Sequence, residues 1–218
     1  MDFKPLSGLI DRLASWRIPW AEVVVVHRNE TVFRYRSGYA DLEEKIPIDD
    51  GRILNIYSMT KILTCTAALR LVEQGKMLLN DPLSAYLPEY AEMTVRKTLQ
   101  DGSSELDRAK RPIRVRDLFA MTAGFSYDLA SPSLREAVER TRGKVPTREF
   151  AKALAKEPLL FEPGTRWAYS LCHDVLGALV EAVDGRKFGD YVREEITGPL
   201  GMNDTGFVLT DEQRGRLA

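Results

Sequence analysis

Ser58 and Lys61 stand three residues apart in the segment Asn55-Ile-Tyr-Ser-Met-Thr-Lys61, at the head of a long apolar stretch. Because residues at i and i+3 are neighbours on a helix, the two side chains are predicted to face the same way. A serine hydroxyl becomes an effective nucleophile when a base within hydrogen-bond reach takes its proton. A neutral lysine can be that base, provided that burial or the positive end of a helix lowers its pKa from about 10.4. The pair therefore indicates nucleophilic catalysis.

The spacing alone leaves a second interpretation open, since a chain of this composition holds roughly half of one Ser-x-x-Lys segment by chance. In that interpretation Ser58 caps a helix and Lys61 extends its ammonium group to solvent. The chain after Lys61 is apolar nearly all round until Gly75, which is suited to end a helix in a left-handed conformation. A helix of this kind is normally buried in the centre of a domain.

Other catalytic signatures are absent from the sequence, which has no G-x-S-x-G, H-E-x-x-H or C-x-x-C segment and no phosphate-binding glycine loop. The two histidines, His27 and His173, occupy a strand end and a first helical turn, where structural roles are more common. A Ser-His-Asp triad is therefore disfavoured, which leaves lysine as the base. Cys65 and Cys172 lie in helical apolar patterns and are predicted to be buried rather than to form a disulfide or a metal pair. No cofactor or metal is expected.

Composition excludes several classes of protein. The 218 residues include 31 basic and 32 acidic side chains, and the net charge of -1 provides no field to attract nucleic acid or an anionic membrane. The apolar clusters fall far short of the roughly 20 residues that a membrane span requires. Met1–Trp20 lacks the continuous hydrophobic core of a signal peptide, which predicts a cytoplasmic chain. The alternative is an exported parent protein that has lost its leader.

The N-terminal part predicts a helix followed by a β-hairpin. Leu6–Arg17 has apolar residues at helical spacing, and two β-rich runs, Glu22–His27 and Val32–Arg36, flank a tight turn at Asn29-Glu30. Val23–Val26 is apolar without alternation, which implies that helices cover both faces of the sheet.

The remainder of the chain predicts mainly helices. Asp81-Pro82 has the features of a helix start and Leu87-Pro88 of its end, whereas polar Lys97–Pro112 is the best candidate for an exposed loop. Ser170 is placed to cap a helix that Gly185 stops. Helices are predicted over Ile113–Gly124, Leu134–Arg142, Thr147–Lys156 with Thr147 as its cap, Leu171–Val183 and Phe188–Ile196, and a strand over Gly206–Leu209.

Several segments together resemble the serine β-lactamase and penicillin-binding protein superfamily, in the class C-like branch that also contains DD-peptidases and carboxylesterases. The segments, in chain order, are Gly38-Tyr-Ala-Asp41, Ser58-Met-Thr-Lys61, Leu71-Val-Glu-Gln-Gly-Lys76, Leu79-Asn-Asp-Pro82, Tyr86-Leu-Pro88, Ile113-Arg-Val-Arg-Asp-Leu118, Thr122-Ala-Gly124, Phe161-Glu-Pro-Gly164, Tyr169-Ser170, Leu176-Gly177 and Pro199-Leu-Gly-Met202. So many matches in one order are far more specific than Ser-x-x-Lys alone.

The resemblance implies a mixed α and β fold, in which a helical domain joins an antiparallel sheet flanked by helices on both faces. Residues 1–50 would then supply the N-terminal helix and hairpin of the sheet domain. Residues 51–200 would form the mainly helical domain with the Ser-x-x-Lys helix, and residues 201–218 would begin a return to the sheet, which stays incomplete in this chain.

The resemblance also implies roles for individual residues. Ser58 matches the acylated nucleophile, Lys61 its base partner and Tyr169 the tyrosine of the family's Tyr-x-Asn motif, which exchanges protons with both. The alternative for Tyr169 is a buried aromatic side chain whose hydroxyl is merely satisfied. Tyr57, Ser170 and Leu171 are the predicted substrate contacts.

Two departures from the family pattern bear on function. Leu171 occupies the Asn position of the motif and cannot hydrogen-bond a substrate amide, so small esters are expected to be better substrates than β-lactams or D-amino-acid peptides. The family's third motif, on a strand that also supplies one oxyanion-hole N–H, is missing from these residues. The expected function is a serine hydrolase acting through an acyl-enzyme on small esters or amides. The alternatives are a non-catalytic penicillin-recognising or interaction domain, and an inactive N-terminal fragment.

A partner chain is expected because the sheet is incomplete and the third motif is missing. One clear hairpin is marginal by itself in water. A cleaved C-terminal fragment or a separate subunit is therefore expected to complete the sheet beside Glu22–Arg36, with strand exchange between copies as the alternative.

Overall fold

The computed structural model describes residues 2–16 and 18–218. It contains two compact units, one comprising Met1–Ile56 with Phe207–Ala218 and the other Tyr57–Gly206. The division at residues 50 and 200 stays a prediction. The α-helices are α1 (Lys4–Trp16), α2 (Thr60–Glu73), α3 (Val115–Phe119), α4 (Pro132–Arg140), α5 (Thr147–Leu154), α6 (Cys172–Asp184), α7 (Phe188–Val192) and α8 (Asp211–Gly215). The strands are β1 (Trp20–His27), β2 (Glu30–Asp41), β3 (Ile46–Pro47), β4 (Thr94–Thr98) and β5 (Ser104–Arg108).

The first unit is built on an antiparallel sheet in the order β1-β2-β3. Arg28 and Asn29 connect β1 to β2 with φ values of 51° and 65°, the two left-handed residues that suit a tight hairpin. The predicted turn at Asn29-Glu30 is therefore displaced by one residue. In the register of the hairpin, Val25 lies opposite Phe33.

Helix α1 covers one face of this sheet. Phe3 stacks on Phe33 with ring centroids 4.6 Å apart, and the Tyr35 hydroxyl donates a hydrogen bond of 2.8 Å to Asp11. Val24, which points to the opposite face, is 49% exposed. The valine run predicted cover on both faces, whereas the described chain covers the face toward α1.

The predicted strand at Gly206–Leu209 is wrong. This segment consists of bends that lead into α8, where the Thr210 hydroxyl accepts a hydrogen bond from the Gln213 N–H and the Gln213 side-chain oxygen accepts one from the Thr210 N–H. This reciprocal capping begins a helix directly after the segment that was predicted to be a strand. Leu217 then forms an isolated bridge with Ile53.

The second unit is organised around α2 and α6, which pack on each other in one apolar core. Ala67, Ala68 and Leu71 of α2 have no exposed surface, whereas Ile62 and Leu69 are 70% and 48% exposed. The prediction of a helix buried on all sides is therefore wrong, since α2 buries one side against the core. Gly75 and Gly185 follow α2 and α6 with φ values of 69° and 91°, as the left-handed ends of both helices require.

Two predictions for the second unit are wrong. The segment that starts at Asp81-Pro82 forms the short 3-10 helices Leu83–Ala85 and Pro88–Tyr90, because the Asp81 carboxylate accepts hydrogen bonds from the Leu78 N–H and the Tyr86 hydroxyl. The expected loop at Lys97–Pro112 includes the end of β4 and the whole of β5, which form a hairpin in which Lys97 pairs with Glu105. The two strands were missed because each has one apolar residue, Val95 or Leu106, among polar ones and so lacks the alternation of a half-buried strand.

The predicted helix caps also need correction. Thr147 is the first residue of α5 rather than its cap, which is Pro146. Ser170 precedes the cap residue of α6, Leu171, and its side chain makes no capping hydrogen bond. The predicted helix at Phe188–Ile196 is α7 followed by a π-helical segment, Arg193–Thr197.

Among the described residues, no helix is both long enough and apolar enough to cross a membrane.

Candidate active site

Ser58 lies in a 3-10 turn, Tyr57–Met59, that leads directly into α2. Lys61 follows in the first turn of α2, and its Nζ donates a hydrogen bond of 3.3 Å to Ser58 Oγ. The sequence predicted both residues on one regular α-helix. The tighter turn at Ser58 nevertheless brings the two side chains together, so the predicted contact is confirmed.

Tyr169 reaches Ser58 from a separate part of the chain. It lies in an irregular segment just before α6, where the Ala168 N–H donates to the Met121 carbonyl at 3.1 Å. Tyr169 Oη lies 2.8 Å from Ser58 Oγ, and either oxygen can be the donor. Its side chain is 42% exposed, which contradicts the alternative of a buried structural tyrosine.

Lys61 and Tyr169 shift each other's pKa in opposite directions. Hydrogen bonds from Lys61 and then from Ser58 lower the pKa of Tyr169, because they stabilise its phenolate. Burial lowers the pKa of Lys61, but the hydrogen bond and the charge interaction with Tyr169 outweigh burial and leave that pKa raised. The Lys61 Nζ also lies 5.0 Å from the centroid of the Tyr169 ring. Lys61 as the predicted base required a lowered pKa, whereas here the pKa of Lys61 is raised and that of Tyr169 is lowered.

Sequence reasoning missed Tyr127 as a neighbour of the site. Its ring centroid lies 5.1 Å from that of Tyr169 with 52° between the ring planes. A hydrogen bond with Tyr127 is among the smaller causes that lower the pKa of Tyr169. No recognised motif marks Tyr127, and its distance from Tyr169 along the chain hides the contact.

The three predicted substrate contacts differ in exposure. Tyr57 is 82% exposed and directly precedes Ser58. Ser170 and Leu171 are each 1% exposed, and the Ser170 hydroxyl donates to the Cys172 sulfur at 3.1 Å. As substrate contacts, Ser170 and Leu171 stay predictions that this burial does not favour.

The described contacts of the His173 ring are with Phe119 and Cys65. Its Nε2 is 3.3 Å from the Phe119 carbonyl oxygen and 3.7 Å from the Cys65 sulfur. Burial lowers the pKa of His173, which favours the neutral ring. Across the described ranges, no three His, Cys, Asp or Glu side chains come together in a way that could hold a metal ion.

Comparison with known proteins gives a family model, Beta-lactamase, that matches residues 9–218. Protein Rv1367c of Mycobacterium tuberculosis is 34% identical over 202 residues, which cover 90% of this chain and 49% of that protein. Esterase EstB of Burkholderia gladioli is 33% identical over 217 residues, which cover 96% of this chain and 52% of the esterase.

A solved structure of EstCE1, described as a hydrolase with promiscuous acyltransferase activity, superposes with a TM-score of 0.78. It is 30% identical, and the match covers 97% of this chain and 54% of EstCE1. These matches confirm the resemblance and the mixed α and β fold that it implied. The chain spans about half the length of the relatives that it matches.

Proposed function

We propose that this chain, which belongs to the Beta-lactamase family, is the nucleophile-bearing part of a serine hydrolase that acts on small esters through an acyl-enzyme at Ser58. The observation that carries the proposal is the position of Ser58 Oγ, which lies 2.8 Å from Tyr169 Oη and 3.3 Å from Lys61 Nζ. With these two neighbours, the Ser58 hydroxyl has a proton acceptor in Tyr169 and an ammonium group in Lys61 that stabilises the acceptor's negative charge.

The hydrogen bonds define a proton path. The Tyr169 phenolate accepts the Ser58 proton as Oγ attacks the ester carbonyl, while the Lys61 ammonium group stabilises the phenolate beforehand. The protonated tyrosine then gives its proton to the departing alkoxide, which leaves as the alcohol and yields the acyl-enzyme. In the second half, Tyr169 takes a proton from the attacking water and returns it to Ser58 Oγ as the carboxylic acid leaves. Ser58 supplies a backbone N–H near the tetrahedral oxyanion.

Esters are favoured over β-lactams and peptides because of Leu171. This side chain stands where the family motif has Asn, and it is buried, with 1% of its surface exposed. A substrate amide that lacks one hydrogen bond is disfavoured by about 0.5 to 1.5 kcal/mol. An ester with an apolar acyl group loses less, and the esterase and hydrolase names of the relatives agree with this preference.

A fluorophosphonate probe tests the proposal. Intact-mass measurement after incubation is expected to give one covalent adduct on the protein and none on Ser58→Ala. Ser15→Ala is the matched control, because Ser15 is an exposed serine at the end of α1 and is expected to label normally. An adduct that survives Ser58→Ala would contradict the proposal.

The alternative of a non-catalytic penicillin-recognising domain predicts a different pattern. Such a domain would form a stable adduct with a penicillin and release no alcohol from p-nitrophenyl esters. Measuring p-nitrophenyl butyrate and nitrocefin side by side separates the two functions, and efficient nitrocefin turnover with little esterase activity would reverse the proposed substrate preference.

A further inference from the structure

The segment between α3 and α4, which carries Tyr127, is held by close contacts on the side that precedes this residue. Gly124 has a φ of 96°, and a Cβ at this position would lie only 2.5 Å from the Phe161 carbonyl oxygen. The chain can therefore pass here only as glycine. Phe125 is 2% exposed, and its ring packs on the edge of Tyr90 with ring centroids 5.7 Å apart. These contacts fix the backbone from which the Tyr127 side chain extends.

Two backbone hydrogen bonds join the same segment to the residues on either side of Tyr169. The Ala168 N–H donates to the Met121 carbonyl at 3.1 Å. The Leu171 N–H donates to the Ser126 carbonyl at 3.3 Å. Tyr169 lies between these two bonds along the chain, so its backbone is tied to the segment at both ends.

The side chains of Tyr127 and Tyr169 meet across this connection. Their ring centroids are 5.1 Å apart with 52° between the ring planes. Lys61 and Ser58 make the hydrogen bonds that lower the pKa of Tyr169 most, and the Tyr127 hydroxyl adds a further one. The proposed proton path needs Tyr169 Oη to stay within reach of Ser58 in both halves of the reaction, and it assigns no step to Tyr127.

We propose that Tyr127 is a positioning residue that holds the Tyr169 ring toward Ser58 and donates a hydrogen bond to the Tyr169 oxygen in the phenolate state. The ring contact sets the direction of Tyr169, and the hydroxyl stabilises its negative charge. This inference rests on the proposed hydrolase function and adds to it a residue that acts through Tyr169.

The other groups that act on the site stay in place when only Tyr127 is changed. Lys61 reaches Tyr169 from α2, and His173 and Asp174 in the first turn of α6 interact with the Lys61 charge. Tyr127→Phe keeps the ring and removes the hydroxyl, whereas Tyr127→Leu removes both. A difference between the unmodified protein and the Phe variant therefore measures the hydroxyl alone.

The first measurement follows the ultraviolet absorbance of phenolate as the pH is raised, and it needs no substrate. Burial raises the pKa of Tyr86, Tyr90 and Tyr191, so these side chains are expected to titrate after Tyr169. Tyr169→Phe identifies the Tyr169 step, because that variant lacks it. Tyr127→Phe is expected to move the step to higher pH, since the phenolate has lost a hydrogen-bond donor.

The second measurement is the hydrolysis of p-nitrophenyl butyrate. Tyr127→Phe is expected to lower kcat at pH 7 about three- to tenfold, as the loss of one hydrogen bond predicts, with KM changed less than about twofold. Tyr127→Leu should lower kcat further, because the ring contact is lost as well. In a Tyr169→Phe background, Tyr127→Phe should have no further effect, since the hydroxyl then has no phenolate to stabilise. Tyr39→Phe, in the other unit of the chain, is the matched control.

Two results would overturn the inference. One is a Tyr127→Phe protein whose Tyr169 step and kcat both equal those of the unmodified protein. The other is a loss of kcat that is the same with and without the Tyr169 hydroxyl and comes with a lower melting temperature, as a purely structural role predicts. Failure of the proposed function is recognised separately, because the unmodified protein would then hydrolyse no ester while the titration still decides whether Tyr127 acts on Tyr169.

Discussion

Replacement of Tyr169 by Phe tests the division of roles between the tyrosine and the lysine. The substitution removes one oxygen, Oη, and with it the 2.8 Å hydrogen bond to Ser58. It keeps the ring that contacts Tyr127 and lies 5.0 Å from the Lys61 Nζ. Because the side chain is 42% exposed, no buried partner loses its hydrogen bond and the melting temperature is expected to hold.

The expected loss in kcat/KM follows from the role of a general base. A positioned acid-base group contributes about 10² to 10⁴ in rate, which corresponds to roughly 3 to 5 kcal/mol of transition-state stabilisation. We therefore expect Tyr169→Phe to hydrolyse p-nitrophenyl butyrate at least about 10² more slowly. Tyr39→Phe is the matched control, since Tyr39 is 41% exposed and belongs to the other unit of the chain.

The pH dependence provides a second readout. Lys61 and Ser58 lower the pKa of Tyr169, so activity that needs the phenolate should rise with pH through a value below the usual tyrosine pKa. Tyr169→Phe should lose this limb of the profile. A Phe variant that keeps most of its activity and the same limb would refute the reasoning and return the role of base to Lys61.

Three further predictions concern stability and assembly. Asp117→Ala should lower the free energy of unfolding by about 3 kcal/mol in denaturant melts. The reason is that Asp117 is buried and accepts hydrogen bonds from two nitrogens of Arg111 and from the Arg114 N–H. Asp101→Ala, at an exposed position, is the control, and equal stabilities of the two variants would contradict a stabilising role of Asp117. The hydrogen bond from Arg186 lowers the pKa of Asp184 in the folded protein. The Asp184 carboxylate therefore stabilises the fold at any pH above its unfolded pKa of about 4. This stabilisation is lost as the pH falls through the lower pKa of the folded state. The melting temperatures of the unmodified protein and Asp184→Asn should converge in acid, and a constant gap down to low pH would disprove this linkage. Native mass combined with a denaturing gel should show a second polypeptide or a second copy, which we expect to complete the sheet beside Glu22–Arg36. A folded, monomeric 24.6 kDa species that hydrolyses esters would rule this out.

The contact between Ser58 and Lys61 could be predicted because it depends on a local spacing that holds in a 3-10 turn as well as in an α-helix. Tyr169 could be assigned through the resemblance, which relies on motif order and not on distance along the chain. The ends of α2 and α6 could also be predicted, since glycine readily takes the left-handed conformation that Gly75 and Gly185 have there.

Features that depend on long-range contacts could not be predicted from the sequence. The direction of the Lys61 pKa shift reverses because its interaction with Tyr169 outweighs burial, and the pattern around Ser58 contains no trace of that interaction. Tyr127 meets Tyr169 only after the chain has folded. The β4–β5 hairpin lacks the apolar alternation that identifies a half-buried strand.

Trapping the acyl-enzyme tests the central claim most directly. The protein is mixed with p-nitrophenyl butyrate, quenched in acid at short times and digested, and the butyryl group is located by mass spectrometry. The account predicts one butyrylated peptide, containing Ser58, which forms before the steady state and is absent from Ser58→Ala. Ester hydrolysis that persists in Ser58→Ala, or a butyryl group on another residue that turns over at the catalytic rate, would contradict it.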